Sequence, residues 1–219
     1  MLVQKGSATR EKILGKIRAA LRDHAASMPF PEADHFDPKD GFVHSELGKD
    51  ELFAESFLSL GGKYIYCAND EEALEQITAL HTTFGWQKLF CADSRYLDKA
   101  RQAQLHFVLP PDNADETADA CITRCEALIA RTGSFLISSR QEFGRVSPVF
   151  YPVHIVVAYQ SDLVYDIADA YEKVKKKYKD QPPSMISLQT GPSRTADIEK
   201  TLVTGVHGPK EVFCIYIDQ

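Results

Sequence analysis

The sequence has no long hydrophobic run and no excess of positive charge. Its longest apolar stretches, around Ile155 and Ile215, fall far short of the roughly 20 residues that a membrane-spanning helix needs. The formal net charge is −6 at pH 7, whereas a nucleic-acid surface needs a net basic face. The charged residues 1–22 contain no apolar signal core. We therefore predict a soluble, cytoplasmic protein with no membrane span and no nucleic-acid partner.

Several enzyme motifs are missing as well. There is no Gly-x-Gly-x-x-Gly, no phosphate loop ending in Gly-Lys-Ser/Thr, no Gly-x-Ser-x-Gly elbow and no His-Glu-x-x-His. Dinucleotide cofactors, P-loop nucleotide hydrolysis, α/β-hydrolase chemistry and zincin chemistry therefore have no support in the sequence.

Cysteines are few, and their number, five, is odd. Cys121 and Cys125 lie four residues apart on a predicted helix, but no Cys-x-x-Cys or second pair completes a metal site. Cysteine inside an apolar segment behaves as a small hydrophobic residue. We predict that the cysteines pack in the core and that this chain carries no metal, no iron–sulfur cluster and no other cofactor.

The N-terminal part of the chain differs in pattern from the rest. Residues 9–24 have the spacing of an amphipathic helix, and a polar, proline-bearing stretch follows to Ser45. We predict a helix-and-linker arm over residues 1–45 and one α/β domain over residues 46–219. The helix either packs on a partner or a second copy, giving a homo-oligomer, or folds back on the domain.

Residues 46–219 alternate short apolar strands with helices. Strands are predicted at 63–68, 88–91, 106–109, 133–138, 154–159, 185–188 and 212–217, and helices at 46–60, 69–80, 94–102, 115–131 and 162–178. This alternation predicts a Rossmann-like three-layer α/β sandwich with a mostly parallel sheet. Ligands of such sheets bind at the carboxyl ends of the strands, which makes residues 132–134, 139–145 and 191–197 expected neighbours in one crevice.

The densest group of unusual residues begins at Gly191-Pro192, a backbone break after a strand. Ser193 or Thr195 is predicted to cap a following helix, whose first turn includes Asp197. Arg194 beside free N–H groups makes a pocket for a carboxylate or a phosphate. The alternative is a capped helix in which Arg194 pairs with Asp197.

Three further segments complete the set of candidates. His207, next to Gly208 in a second glycine turn, can act as an acid or a base near pH 7. The turn Thr132-Gly133-Ser134 lets a ligand approach the backbone, or it is only a tight turn with capping hydroxyls. Arg145 lies on a loop that closes over a ligand or is simply solvated. The lysine-rich helix end at 173–179 is a solvated terminus or an anion patch.

Three of these segments together resemble a known family. A-R-T-G-S-F-L-I at 130–137, P-V-H-I-V-V at 152–157 and G-P-S-R-T-A-D-I-E…G-V-H-G-P at 191–209 are similar to the lactate-utilization protein C family, the LUD-domain proteins. The resemblance implies a fold of the sugar-phosphate isomerase and CoA-transferase-like group. It also implies a role in oxidation of L-lactate to pyruvate beside iron–sulfur oxidoreductase and ferredoxin-like subunits.

The leading hypothesis is therefore a subunit of a lactate-oxidising system that binds a small carboxylate while its partners carry the iron–sulfur clusters. Under this hypothesis Arg194 holds the carboxylate, Ser193, Thr195 and Thr132 donate hydrogen bonds to it, and His207 carries a proton. One alternative is a stand-alone enzyme acting on a small phosphorylated or folate-like metabolite. Another is a non-catalytic protein that binds a small anion.

Overall fold

A computed structural model of the chain describes residues 4–23, 45–110, 118–142, 147–198 and 201–219. The chain divides into two compact units, Met1–Ser45 and Glu46–Gln219. In the first unit, helix α1 at Gln4–Asp23 confirms the predicted N-terminal helix. The predicted linker lies outside the described residues up to residue 44. Within the described ranges, none of the helices has the length and apolar character needed to cross a membrane.

The second unit alternates helices and strands over most of its length. Its described helices are α2 Lys49–Ser59, α3 Asp70–Phe84, α4 Ser94–Gln102, α5 Ser147–Phe150 and α6 Ile167–Tyr178. Its described strands are β1 Lys63–Cys67, β2 Leu89–Cys91, β3 Val108–Leu109, β4 Ala120–Arg124, β5 Ala127–Ile129, β6 Ser134–Ser138, β7 Val153–Tyr159, β8 Leu163–Val164, β9 Ile186–Gln189, β10 Arg194–Ile198, β11 Thr201–Thr204 and β12 Glu211–Ile217.

The main sheet has six strands in the order β1-β12-β7-β4-β2-β3, and every neighbouring pair is parallel. Ile215 in β12 lies between Ile65 and Val157. Strands buried on both faces read as continuous apolar runs, which is how β7 and β12 appear in the sequence. The predicted α/β fold with a mostly parallel sheet is confirmed.

Helices α3 and α4 cover one face of the main sheet. Ile77 of α3 and Leu97 of α4 pack with Ile155 and Ile215 of the sheet in one apolar cluster. Asn69 caps α3, since its Oδ1 accepts a hydrogen bond from the Glu72 N–H at 3.0 Å. Such a cap satisfies one of the free N–H groups at the helix start.

The opposite face of the main sheet is covered by helix α2 and by a second sheet that the sequence did not predict. This sheet has the order β8-β5-β6-β9, in which β6 is antiparallel to both of its neighbours. Phe53 and Phe57 of α2 pack with Phe135 of β6 and Val156 of β7. Helix α6 covers the outer face of the second sheet through Ala170 and Val174.

The helix predicted over residues 115–131 is wrong, because strands β4 and β5 occupy this stretch. The two apolar runs are each buried on both faces, and periodicity alone does not separate such strands from a buried helix. Cys121 and Cys125 therefore do not share a helical face. All five cysteines are free thiols buried in the core, as the packing interpretation predicted. Burial raises the pKa of the Cys91 thiol to about 12.

The turn between β5 and β6 is shaped by a close approach of α2. Gly133 has φ +56°, and a Cβ added there would lie 2.5 Å from the backbone nitrogen of Phe57. Only glycine lets the helix backbone pack at this distance. Of the two interpretations left open for this turn, a ligand approach or a tight turn, the structure shows a turn whose glycine is approached by α2.

The Gly133→Ala substitution should lower the free energy of unfolding by about 3 kcal/mol, because it adds a backbone clash to the strain of a positive φ. Gly85→Ala is the matched control, since Gly85 has φ +66° but open space around its Cβ position. It should cost only about 1 kcal/mol. Chemical denaturation of both variants measures the difference, and equal losses would contradict the role given to α2.

Candidate functional site

The segment after Gly191-Pro192 is a β-hairpin and not the predicted helix. Strand β10 pairs antiparallel with β11, with Arg194 opposite Thr204 and Thr195 opposite Val203. The β-branched residues of this stretch favour strands. Ser193 and Thr195 therefore cap no helix, and no helix N-terminus supplies the anion pocket that was expected there. Asp197 belongs to β10, and its side chain lies outside the described part of the structure.

The two glycine turns of this region lie side by side. Ser193 N–H donates to the Pro209 carbonyl at 2.9 Å, and Gly205 N–H donates to the Ser193 carbonyl at 3.0 Å. The turns enclose a space of about 230 Å³, which we call the motif cavity. It is lined by Val149, Gln189, Thr190, Gly191, Pro192, Ser193, His207, Gly208 and Pro209. The structure thus brings together Gly191, Ser193, His207 and Gly208 of the predicted site.

Two glycines keep the walls of the motif cavity close together. Gly191 has φ +69°, and a Cβ there would lie 3.0 Å from the Leu60 carbonyl oxygen. A Cβ on Gly208 would lie 3.0 Å from Cβ of Ser193. A side chain at Gly208 would therefore press directly on the Ser193 side chain that lines the cavity.

A second hollow adjoins the motif cavity and shares Val149, His207 and Gly208 with it. This hollow has a volume of about 410 Å³ and is lined by Val149, Phe150, Tyr151, Pro152, Gly205, Val206, His207, Gly208 and Lys210. The carbon stem of Lys210 packs over Gly205, where no side chain obstructs it. Lys210 thereby brings a positive charge to the same wall as His207.

Several other residues predicted for the site do not line the motif cavity. Arg194 is exposed, donates from Nη2 to the Leu60 carbonyl, and is not among the residues that line the motif cavity. Thr132 and Gly133 lie in the β5–β6 turn behind the cavity wall. Ser134 Oγ lies 2.8 Å from Thr190 Oγ1, which links this turn to the wall. Arg145 lies outside the described residues.

The motif cavity lies at the amino ends of the parallel strands. Pro152 and Lys210 immediately precede β7 and β12, and Lys210 N–H donates to the Pro152 carbonyl at 2.8 Å. The expectation that residues 132–134 and 191–197 border a crevice at the carboxyl ends is therefore wrong. The turn at 132–134 belongs to the second sheet, and residues 191–193 fold against the loop before β12.

The carboxyl ends of the parallel strands form a different and highly charged space, which we call the carboxyl-end crevice. It has a volume of about 540 Å³ and is lined by Ala92, Asp93, Arg95, Arg124, Cys125, Glu126, Arg140, Gln141, Glu142, Asp162, Lys173, Lys177 and Tyr178. Of the three segments predicted for this edge, only residues 139–142 reach it. The Glu142 carboxylate accepts hydrogen bonds from Ser94 N–H at 2.6 Å and Ser94 Oγ at 2.8 Å.

Strand β6 separates the two spaces. Its antiparallel register with β9 places Phe135 opposite Gln189 and Ser138 opposite Ile186. Gln189 lines the motif cavity, whereas residues 139–142 lead from the other end of β6 into the carboxyl-end crevice. The motif cavity and the crevice therefore lie at opposite ends of one strand.

The lysine-rich end of α6 was predicted to be either a solvated helix end or an anion patch, and the structure pairs two of its lysines with carboxylates of the crevice. Lys173 Nζ donates to Asp162 Oδ1 at 3.2 Å, and Lys177 Nζ donates to Glu126 Oε2 at 2.7 Å. The four-residue spacing puts both lysines on the side of α6 that faces these carboxylates, although the Lys177 side chain remains 55% exposed. Burial alone would lower the pKa of Lys177, but the bond to Glu126 outweighs it and raises that pKa.

Sequence reasoning missed Arg95, Arg124 and Glu126, which line the carboxyl-end crevice. Arg124 and Glu126 lie in the stretch that was taken for a helix, so their position at a strand end was not visible. Two signals were present in the sequence. A charged pair flanks Cys125 between two apolar runs, and Lys173 and Lys177 repeat at helical spacing.

His154 is a buried histidine behind the motif cavity. It is 1% exposed, its Nε2 lies 2.7 Å from Thr123 Oγ1, and its ring packs against Phe135. Burial lowers its pKa to about 3, against a smaller raising effect of the Gln189 side chain. The imidazole is therefore neutral near pH 7 and belongs to the core.

Part of the chain matches a known protein family. Residues 112–217 match the LUD domain family. The resemblance inferred from the three motifs is thereby confirmed. The match begins before β4 and ends with β12, so it covers all four strands of the second sheet, the hairpin and three strands of the parallel sheet, β4, β7 and β12.

Curated relatives share the name "Lactate utilization protein C". The protein from Bacillus licheniformis is 33% identical over 105 residues, which is 47% of this chain and 44% of that protein. The one from Anoxybacillus flavithermus is 28% identical over 159 residues, covering 72% of this chain and 64% of that protein. The chain thus spans about half the length of the relatives it matches most significantly.

A solved structure supports the fold. The crystal structure of a DUF162 family protein from Deinococcus radiodurans superimposes with a TM-score of 0.54 and 21% sequence identity. The superposition covers 78% of this chain and 99% of that protein. At this level of identity the likeness concerns the fold alone.

His154 should make stability fall in mild acid. Its pKa in the folded state lies below the value of about 6.5 of an exposed histidine, so only the unfolded state takes up a proton as the pH falls from about 6.5. Between pH 7.5 and pH 5 the protein should lose about 2 kcal/mol of unfolding free energy more than the His154→Gln variant. Urea titrations at the two pH values measure this difference.

The control is His106→Gln, because His106 is exposed. This variant should follow the parent protein at both pH values. An acid loss that His154→Gln leaves unchanged would show that His154 is not the group responsible.

Proposed function

We propose that this protein serves lactate utilization as a subunit that binds a small carboxylate. The observation that carries the proposal is the match of residues 112–217 to the LUD domain family. Relatives that share this part of the chain are named lactate utilization protein C. The two ends of one resembling segment, 191–209, also converge in the structure. Residues Gln189 to Ser193 and His207 to Pro209 line the motif cavity.

The motif cavity is the binding site in this proposal. Its volume of about 230 Å³ is below the roughly 300–1,000 Å³ that a drug-sized ligand occupies, which suits L-lactate or pyruvate. The Ser193 hydroxyl donates a hydrogen bond to the carboxylate, and the Lys210 ammonium on the adjoining wall balances its charge. Lys210 takes the role that the sequence analysis gave to Arg194.

His207 is the proton carrier of the site. It lines both the motif cavity and the adjoining hollow, and it is exposed. Oxidation of L-lactate to pyruvate releases two electrons and two protons, one from the hydroxyl group and one from the Cα–H bond. His207 is placed to accept the hydroxyl proton, and the two electrons and the second proton leave with the partner subunits that act as the oxidant.

The proposal assigns electron transfer to iron–sulfur partner subunits. Such clusters are held by cysteine thiolates, whereas the cysteines of this chain are separately buried and have pKa values raised by burial. Among the described residues no group of three or more His, Cys, Asp or Glu side chains is arranged to hold a metal ion. The exposed apolar residues Val149, Phe150 and Val206 at the hollow offer a surface for a partner.

Binding of L-lactate by the isolated protein tests the assigned site. Ser193→Ala and Lys210→Ala should each weaken binding about tenfold, because each removes one hydrogen-bonding or charged contact to the carboxylate. Isothermal titration calorimetry measures the dissociation constants. Arg194→Ala is the matched control and should bind as the parent protein does. Loss of binding in Arg194→Ala with normal binding in Lys210→Ala would reverse the assignment.

Association with partners is tested in the organism that makes the protein. A tagged copy should co-purify with iron–sulfur oxidoreductase subunits from cells grown on lactate, as identified by mass spectrometry. Phe150→Ser should reduce the recovery of these subunits, and Tyr171→Ser, at an exposed aromatic position on α6, should not. Recovery of the tagged protein alone under these conditions would contradict the proposed role as a subunit.

A further inference from the structure

The carboxyl-end crevice is a second cavity with chemistry of its own, and the lactate role does not use it. We propose that it is a separate binding site for a small organic anion with a phosphate monoester or a carboxylate group. The proposal depends on which charges inside the crevice are already paired and which are left over.

The two inner carboxylates are saturated by donors from the protein. Glu126 is 3% exposed and accepts hydrogen bonds from Ser138 Oγ at 2.6 Å, Lys177 Nζ at 2.7 Å and Tyr178 Oη at 2.7 Å. A buried carboxylate needs such partners, because an unpaired charge in the interior is costly. Glu126 therefore organises the wall of the crevice and has little capacity left for a ligand.

Asp162 is engaged in the same way. It accepts from Arg124 Nη2 at 2.9 Å, from the Tyr159 N–H at 3.1 Å and from Lys173 Nζ at 3.2 Å. The Arg124 guanidinium also lies over the Tyr159 ring, 4.3 Å from its centroid. These contacts hold Arg124 at the end of β4 in one orientation.

The outer carboxylates are also occupied. Asp93 caps α4 by accepting from the Tyr96 N–H at 2.9 Å. Glu142 accepts from both the N–H and the hydroxyl of Ser94. All four carboxylates that line the crevice thus have donors within the protein, and none needs a cationic ligand.

The arginines that line the crevice, unlike its carboxylates, are not all provided with hydrogen-bond partners by the part of the protein that the structure describes. Within the described residues, the Arg95 side chain has no ion pair or hydrogen bond, and the Arg140 guanidinium has only a 3.4 Å hydrogen bond from Nη2 to the Gln181 carbonyl. Both side chains are exposed at the crevice. Arg124 Nε is buried and has no hydrogen-bond partner in the described part of the chain. Buried N–H donors are normally hydrogen-bonded, and a ligand oxygen would supply the acceptor for this one.

Position and shape agree with this charge balance. The crevice follows β2, β4 and β7 at their carboxyl ends, where ligands of parallel α/β sheets bind. A volume of about 540 Å³ accommodates a small metabolite. Guanidinium groups bind carboxylates and phosphates through paired N–H donors. The unpaired arginines therefore select an anion, and the remaining volume holds its organic part.

The test measures binding of two probes, D-ribose 5-phosphate and succinate, to the full chain by isothermal titration calorimetry. At least one probe should bind with a dissociation constant below about 1 mM. Arg140→Ala and Arg95→Ala should each weaken that binding by about fivefold or more, and raising the salt concentration should weaken it further. The preferred probe identifies the anion as a phosphate monoester or a carboxylate.

Arg101→Ala is the matched control, because Arg101 lies on the same helix as Arg95 but pairs with Asp98 outside the crevice. It should leave binding unchanged, and so should Ser193→Ala in the motif cavity. Absence of binding by both probes at about 10 mM, or affinities unaltered in both crevice variants, would overturn the proposal. Lactate binding in the Arg140→Ala protein distinguishes the two sites, since it should remain normal whatever becomes of the crevice.

Discussion

The packing of the second sheet onto the parallel sheet is the constraint on which both cavities depend. Phe135 and Leu128 of the second sheet bury their side chains against Val156 and Cys214 of the main sheet. This contact holds β6 and β9 antiparallel beside the central strands. Strand β6 consequently ends near the carboxyl ends of the parallel strands, and β9 ends near their amino ends. One apolar interface thereby positions the loop 139–142 and the turn after Thr190 at opposite ends of the domain.

The sandwich also explains why glycines recur in the motif segments. Gly133 admits the backbone of α2, and Gly191 admits the Leu60 carbonyl at the end of the same helix. Helix α2 therefore rests on two turns that flank the motif cavity from behind. Gly133 and Gly191, which the sequence placed in candidate ligand-binding turns, therefore serve the packing of α2. The side chains left facing the cavity, among them Ser193 and His207, are the ones free to do chemistry.

Much of the fold was predictable from the sequence, because the strands of the parallel sheet are continuous apolar runs and the cap at Asn69 is local. The second sheet was not predictable, since β4 and β5 together have the length and apolar content of one helix. The site was half predictable for the same reason. Gly191, Ser193, His207 and Gly208 do meet, but Arg194 turns towards Leu60 once its segment is a hairpin. Which way a side chain faces depends on strand pairing that a single sequence does not display.

Charge distributes unevenly between the two ends of β6, and this bears on what each end can bind. The motif cavity has uncharged donors and one lysine on the adjoining wall, which suffices for a ligand with a single negative charge. At the crevice, every lining carboxylate accepts a hydrogen bond from the protein, whereas the Arg95 and Arg140 side chains have no carboxylate partner among the described residues. The crevice lining has five cationic side chains, Arg95, Arg124, Arg140, Lys173 and Lys177, and four carboxylates, so its formal excess is one positive charge. The two ends therefore differ less in the charge of the ligand they balance than in the donors they offer, because a guanidinium binds an oxyanion through paired N–H groups whereas Lys210 is a single ammonium.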